Sequence, residues 1–187
     1  MNQLEWIAVA LGVANIALLI RRSIWNYPVG IAMVLLYFEI FREARLYSDM
    51  GLQLFFVAVN IWGWWAWARV GGLGGPVAVT RMRSLERWLW LAGVVAATAG
   101  WGWIMMRFTD AAAPWWDAAV AMGSVAAQIL LAQRRIENWL VWIAVDVLAI
   151  GLYWSRGLQL TAGLYALFLV MCILGWFEWR RAEAASA

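Results

Sequence analysis

Three side chains in the stretch ENWLVWIAVDV could together bind a flat organic molecule that carries hydroxyl groups or a positive charge. Trp142 and Asp146 follow Trp139 by three and seven residues, which places all three on one face of a helix. Indole faces attract cations, and a carboxylate pairs with a positive charge or accepts hydrogen bonds from hydroxyls. An ionisable group near the middle of a membrane span indicates function, and a protonated or internally paired carboxyl is the structural alternative.

A second set of candidates consists of amides and a phenol in other apolar segments. Gln53 and Asn60 share a helix face, and amide groups can recognise a carboxamide. Hydrogen bonds between helices, worth about 0.6 kcal/mol each, would explain such residues equally well. The complete set of predicted substrate-binding residues is Trp139, Trp142, Asp146, Gln53, Asn60, Gln128 and Tyr37.

The composition indicates an integral membrane protein. Apolar residues make up 66% of the 187 residues and charged residues 13%, against roughly half and a quarter in soluble domains. All basic residues are arginines, and there is no histidine and only one cysteine, Cys172. This composition excludes a histidine base and a disulfide framework and disfavours a zinc or haem site, so we predict no enzyme and no cofactor. The arginines cluster at the ends of apolar segments, which favours a topological role over nucleic-acid binding.

The apolar segments predict an all-α fold of seven membrane spans, since each crossing needs about 20 largely apolar residues. We place them at 4–20, 24–41, 50–69, 88–106, 114–133, 138–154 and 160–179, with a polar loop over 71–87. The first span has the features of a retained helix and not of a cleaved signal peptide. Ten arginines fall on the side of the C-terminus and four on the other, so the positive-inside rule places the C-terminus in the cytoplasm and the N-terminus outside.

An internal repeat organises these spans within one transmembrane domain, residues 1–187. A shift of 112 positions aligns residues 4–69 with 116–181 without a gap, with 20 of 66 positions identical. Three spans per repeat and a linking span over 88–106 predict a 3+1+3 parallel-repeat bundle of the SWEET type. One asymmetric ligand on a two-fold axis cannot match two identical half-sites, so polar residues present in one repeat only are the better candidates.

The repeated stretches IWGWWAWAR and ILGWFEWRR are predicted to be scaffold, because they recur in both repeats. A small residue lets neighbouring helices approach closely, which explains Gly63 and Gly175. The four shared tryptophans are expected at the cytoplasmic interface, with Arg69 and Arg181 reaching lipid headgroups; they are Trp64, Trp67, Trp176 and Trp179.

Three longer stretches resemble the PnuC-type nicotinamide riboside transporter family: IWNYPVGIAMVLLYFEIF, LYSDMGLQLFFVAVNIWGWWAW and ENWLVWIAVDVLAIGLYWSRGLQLTAGLYALFL. The similarity runs from Glu5 to Trp179. It implies a SWEET-like homotrimer in the bacterial inner membrane that takes up nicotinamide riboside by facilitated diffusion, with a cytoplasmic riboside kinase trapping the substrate. The family's Trp-x-x-Trp signature maps onto Trp139 and Trp142.

Other substrates remain open at this point. Related carriers take thiamine or riboflavin, which are also flat aromatics, and a SWEET-like sugar carrier or a non-transporting scaffold are further alternatives. Nicotinamide mononucleotide is disfavoured, because no arginine lies at mid-depth in any predicted span to meet its phosphate. No sodium-site pattern stands out, so uniport is expected.

Overall fold

The computed structural model describes residues 3–43, 47–71, 76–111, 113–155, 157 and 159–185. In these residues the chain forms seven α-helices: α1 (Gln3–Ile20), α2 (Asn26–Glu43), α3 (Tyr47–Gly71), α4 (Ser84–Phe108), α5 (Pro114–Ala132), α6 (Asn138–Ser155) and α7 (Gln159–Ala184). The predicted number and order of the helices are confirmed, and most ends agree within a few residues.

Several helices have the length and composition of a membrane crossing. Within the described residues four of them are long and apolar enough: Ser84–Phe108, Pro114–Ala132, Asn138–Ser155 and Thr161–Ala184. The segments Trp6–Ile20 and Asn26–Ile40 are also apolar but shorter. The chain is therefore a multi-pass membrane protein.

Six helices form a closed ring. The neighbours in the ring follow the order α1, α2, α3, α5, α6 and α7, and α7 returns to α1. Helix α4 lies outside the ring and packs against α5. Much of its surface consists of exposed large apolar side chains, as expected of a helix that faces lipid.

Helices α1 and α5 end in the same way. Arg22 and Arg134 follow them with positive φ angles of 56° and 61°. The amides of Arg22 and Ser23 bond back to the last turn of α1 at 2.8 and 3.0 Å, and those of Arg134 and Arg135 bond back to α5 at 2.8 and 2.9 Å. These bonds satisfy carbonyls that a helix end leaves without a partner. The two matching ends stand 112 residues apart, the spacing of the sequence repeat.

Trp67 and Trp179 occupy the interior of the ring. Both are 0% exposed. The Trp67 Nε1–H donates to the carbonyl of Leu131 at 3.3 Å, and the Trp179 Nε1–H donates to the carbonyl of Leu19 at 3.1 Å. Both were predicted to lie at the cytoplasmic interface as membrane anchors, and the structure buries them instead, because each indole ties the end of one half of the chain to the other half. Trp64, at 37% exposed, does face outward.

Gly63 and Gly175 confirm the prediction of close helix approach. A Cβ at Gly63 would lie 2.5 Å from the ring of Tyr27, and one at Gly175 would lie 2.4 Å from the ring of Trp139. The two glycines therefore let α2 pack closely on α3, and α6 on α7.

The predicted polar loop is anchored to the ends of the helices where the structure describes it. Residues 72–75 lie outside the described part. Val77 is buried and its amide donates to the carbonyl of Arg22 at 3.2 Å, while the Thr80 amide donates to that of Arg134 at 3.0 Å. Glu137 accepts from the amide of Met82 at 3.1 Å. The segment 76–83 thus lies across the ends of both α1 and α5 and is not a free loop.

Replacing Trp67 with phenylalanine is expected to destabilise the fold by about 1–3 kcal/mol, through a lost buried hydrogen bond and a small cavity. Thermal unfolding of the purified protein measures the change. Trp64→Phe is the matched control, since that side chain faces outward, and it should leave the midpoint nearly unchanged. A Trp67→Phe variant as stable as the control would show that the bond to Leu131 does not hold the two halves together.

Candidate functional site

Two of the three predicted amide residues, Asn60 and Gln128, meet where four helices converge. Gln128 on α5 donates from Nε2 to Oδ1 of Asn60 on α3 at 3.2 Å, and Asn60 donates from Nδ2 to the carbonyl of Phe56 at 2.8 Å. Gly30 on α2 lies between Asn60 and Asn15 of α1, close enough that a Cβ there would be 2.9 Å from Asn15 Nδ2. We call Asn15, Asn60 and Gln128 the amide cluster.

Asp146 lies in a second polar cluster. Its side chain is 3% exposed, and its Oδ2 atom has no hydrogen-bond partner. The thiol of Cys172 on α7 is within hydrogen-bonding reach of the carboxyl. Tyr165 lies near both Asp146 and Tyr37, and the centroid of its ring is 5.2 Å from that of Tyr153. We call Asp146, Cys172, Tyr165, Tyr153 and Tyr37 the carboxyl cluster.

The two predicted tryptophans differ in accessibility. Trp139 is 0% exposed, with its ring against Gly175 and 5.6 Å from that of Trp179 in a T-shaped contact. Its Nε1–H is buried without a hydrogen-bond partner. Trp142 is partly buried and packs against the same apolar core. In this conformation Trp142 is the more open of the two rings, and Trp139 would have to move to contact a ligand with its face.

Gln53 is the remaining predicted residue, and it is buried on α3. The structure thus places Gln53, Asn60, Gln128 and Asp146 inside the bundle, as predicted, and connects Tyr37 to Asp146 through Tyr165. The amide cluster and the carboxyl of Asp146, whose Oδ2 atom has no partner, supply hydrogen-bond donors, acceptors and one negative charge. This set of groups suits a small polar organic ligand with a positive charge.

Asn15, Tyr153, Tyr165 and Cys172 were not among the predicted residues. Tyr165 and Cys172 stand 112 residues after Gln53 and Asn60, so the repeat alignment already contained the signal for them. Asn15 is a polar residue in an apolar run and is matched by Ala127 in the other repeat. The same asymmetry that singled out Asp146 would therefore have found it.

A cavity of about 300 Å³ lies away from both clusters, between α4 and α5. Its lining is apolar throughout: Leu89, Trp90, Gly93, Val94, Ala97, Met122, Val125, Ala126 and Ile129. A polar ligand would find no hydrogen-bonding side chain there, so the cavity is not the candidate site.

A family model and several curated proteins resemble this chain, and all of them are named as transporters. The family model described as "Nicotinamide mononucleotide transporter" matches residues 2–181. The nicotinamide riboside transporter PnuC of Escherichia coli K12 is 26% identical over 204 residues, covering 96% of this chain and 85% of that protein. The riboflavin/roseoflavin transporter RibM of Streptomyces davaonensis is 27% identical over 172 residues, covering 90% of this chain and 80% of that protein.

A solved structure has the same fold. The crystal structure of the vitamin B3 transporter PnuC aligns with a TM-score of 0.81 at 24% identity. The alignment covers 98% of this chain and 83% of the other. The helical bundle described above therefore has the same fold as that protein.

Proposed function

Because this chain belongs to the nicotinamide mononucleotide transporter family and is a membrane transporter rather than an enzyme, we propose that it takes up nicotinamide riboside by facilitated diffusion. A cytoplasmic riboside kinase then traps the substrate by phosphorylation. The observation that carries the choice of substrate is the buried carboxyl of Asp146, whose Oδ2 atom has no hydrogen-bond partner. Nicotinamide riboside has a fixed pyridinium charge, and a cation in the membrane interior needs a compensating anion.

The other groups fit the rest of this substrate. The amide cluster can bind its carboxamide, Trp142 can stack on its ring, and the tyrosines of the carboxyl cluster can bond to its ribose hydroxyls. A phosphate would need a basic partner, and no arginine is among the buried polar residues in the described part of the chain. The riboside is therefore a better substrate than its mononucleotide.

Riboflavin is the second candidate, because the relative RibM is named for it. Riboflavin is uncharged and does not need Asp146. Thiamine is a cation and would use Asp146, but it has no ribose hydroxyls and no carboxamide. The combination of carboxyl, amides and phenols favours nicotinamide riboside over both.

The proposed architecture is a SWEET-like 3+1+3 bundle in one transmembrane domain, residues 1–187. The first repeat spans about 4–69, the linking helix about 88–106 and the second repeat about 116–181. Support comes from the paired bonds of Trp67 and Trp179, whose acceptors Leu131 and Leu19 are also 112 residues apart. The ring order gives each repeat three consecutive neighbours, with α4 outside. Assembly as a homotrimer in lipid is proposed from the family resemblance.

The proposed orientation in the bacterial inner membrane places the N-terminus outside and the segment 76–83 in the cytoplasm. In intact cells, Ala78→Cys should therefore react with a membrane-permeant thiol reagent and resist an impermeant one, because Ala78 is exposed on that segment. Asp110→Cys, on the exposed connection between α4 and α5, is the matched control and should react with both reagents. The unmodified protein measures background labelling, which should be low because Cys172 is buried. The reverse pattern would overturn the orientation.

Ligand-induced thermal stabilisation tests the substrate. We expect nicotinamide riboside to raise the unfolding temperature of the purified protein more than thiamine, riboflavin, nicotinamide mononucleotide or glucose at equal concentration, because a ligand that binds only the folded state stabilises it. Larger stabilisation by riboflavin would transfer the assignment to the second candidate. Larger stabilisation by glucose would favour a sugar carrier.

A further inference from the structure

We infer that the segment 76–83 is a lid over one end of the transport pathway, and that it moves together with helices α5, α6 and α7 when this end opens. A membrane transporter has to open each end in turn to bind and release its substrate, and many do so by rocking one half of the bundle against the other. Riboside uptake is measured in only one of the two tests below, so only that test rests on the proposed function.

A layer of buried aromatic rings separates the two polar clusters from the segment 76–83. Trp67 follows Asn60 by seven residues on α3, which places it about 10 Å along the helix axis from the amide cluster. Its ring centroid lies 5.2 Å from that of Tyr27 and 6.0 Å from that of Trp179. The ring of Trp139 lies 5.6 Å from that of Trp179, and all four rings are 0% exposed. The pathway is therefore closed at this end.

The segment 76–83 covers the outer side of this aromatic layer. Val77 is 1% exposed and belongs to the same apolar core as the rings, and Val79 packs against that core. Ala78, between them, is exposed. Such alternation is typical of an extended chain that lays one face on a core. A substrate that leaves at this end has to displace the segment as well as the rings.

The backbone of the segment is paired with the connection between α5 and α6. The amide of Thr80 donates to the carbonyl of Arg134 at 3.0 Å, and the carbonyl of Thr80 accepts from the amide of Ile136 at 2.9 Å. These two bonds set Thr80 beside Arg135, as in two neighbouring strands of a parallel sheet.

Side chains from the same half of the chain add to this attachment. The carboxylate of Glu137 accepts from the amide of Met82 at 3.1 Å. The guanidinium of Arg135 donates to the carbonyl of Arg81 at 3.1 Å, and the side chain of Arg81 forms an ion pair with Glu183 near the end of α7. The segment is thus bonded both to the connection between α5 and α6 and to α7.

The attachment of the segment to helices α1, α2 and α3 is weaker. In the part of the chain that the structure describes, it consists of one hydrogen bond, from the amide of Val77 to the carbonyl of Arg22 at 3.2 Å, and of apolar contact between Val77 and Gly71 at the end of α3. When the two halves separate, the weaker attachment breaks. Val77 then withdraws from the ends of α1 and α3, while Met82 stays covered.

Cysteine labelling tests which attachment opens. Val77→Cys and Met82→Cys each place a thiol at a buried position, since the native side chains are 1% and 6% exposed. The purified variants are treated with a thiol reagent without any substrate, because an empty carrier also samples its open state. We expect Val77→Cys to react several-fold faster than Met82→Cys, after subtraction of the unmodified protein. Equal rates, or faster reaction of Met82→Cys, would overturn the inference.

A disulfide lock tests whether transport needs this movement. A Cβ at Gly71 would lie 3.7 Å from that of Val77, within the range of about 3.5–4.5 Å that a disulfide spans. In liposomes, the oxidised Gly71→Cys/Val77→Cys variant should lose most of its uptake of radiolabelled nicotinamide riboside and regain it on reduction. Thr80→Cys/Arg135→Cys is the matched control, because it joins the lid to the half with which it moves. This control should keep its uptake when oxidised.

The outcomes separate the lid from the proposed function. Unchanged uptake after oxidation of Gly71→Cys/Val77→Cys, with the disulfide verified by mass spectrometry, would overturn the inference. Loss of uptake in the oxidised control would also overturn it, because the segment would then have to move relative to α5, α6 and α7. Absence of uptake by the unmodified protein would contradict the proposed function instead. In that case, or if a double variant does not fold, the labelling rates alone decide whether the segment is a lid.

Discussion

Nicotinamide riboside is expected to bind the Asp146→Asn variant more weakly than the parent protein by about 1–3 kcal/mol, through a lost charge-assisted hydrogen bond and a lost charge pair. Asparagine has nearly the shape of aspartate but no negative charge. Asp146 is buried inside the bundle, and its Oδ2 atom has no hydrogen-bond partner. Calorimetric titration of the purified proteins measures the loss of affinity, and thermal unfolding establishes that the variant is folded.

The neutral reduced riboside separates the effect of charge from that of shape. It should lose much less affinity in Asp146→Asn than the oxidised form does, because it has no cation to compensate. Asp110→Asn, on the exposed connection before α5, is the control variant and should change neither affinity. Equal losses for the two ligands would show that Asp146 binds hydroxyls or stabilises the bundle. No loss for either would remove Asp146 from the site.

The second large effect concerns the packing of α6 on α7. Gly175→Ala is expected to destabilise the protein by about 1–3 kcal/mol, since inserting a methyl group into a tightly packed interior forces its neighbours to shift. The new Cβ would lie 2.4–2.6 Å from the ring of Trp139. That ring is 0% exposed and also makes a T-shaped contact with the ring of Trp179, so it has little room to move. Thermal or denaturant unfolding in detergent measures the loss.

Gly163→Ala is the matched control on the same helix. A Cβ at Gly163 meets nothing within 4 Å, and alanine is a better helix former than glycine by about 1 kcal/mol. This control should therefore be neutral or slightly stabilising, opposite in sign to Gly175→Ala. Two variants of equal stability would mean that the contact between Gly175 and Trp139 is not tight in solution.

The positions of the helices could be predicted from the sequence because membrane thickness fixes the length of an apolar span. The seven predicted segments correspond to the seven helices that the described residues form. The 112-residue shift also predicted which residues would occupy equivalent positions in the two repeats. Gly63 and Gly175 both accommodate an aromatic ring of the preceding helix, as the scaffold interpretation requires.

The direction in which an apolar side chain points could not be predicted in the same way. Lipid and the bundle interior are both apolar, so the pattern around Trp67 and Trp179 does not distinguish an outward indole from an inward one. Their Nε1–H groups bond to carbonyls at the ends of α5 and α1, and those acceptors are set by the three-dimensional packing. The anchoring of the segment 76–83 was missed for a similar reason, because it depends on the carbonyls of Arg22 and Arg134.

Residues of the candidate site could be predicted from the sequence where they differ from their counterparts in the other repeat. Asp146 stands opposite Val34, and Gln128 stands opposite Ile16, so each differs sharply from its counterpart. Cys172 was missed because a cysteine in an apolar run is an ordinary buried residue. Only the packing of α6 on α7 brings its thiol to the carboxyl of Asp146.

Uptake of radiolabelled nicotinamide riboside into liposomes that contain only the purified protein tests the central claim most directly. The account predicts saturable uptake that approaches the external concentration without an added energy source, with much weaker uptake of riboflavin and thiamine under the same conditions. Uptake of nicotinamide riboside no greater than in protein-free liposomes, together with saturable uptake of riboflavin or thiamine, would contradict it.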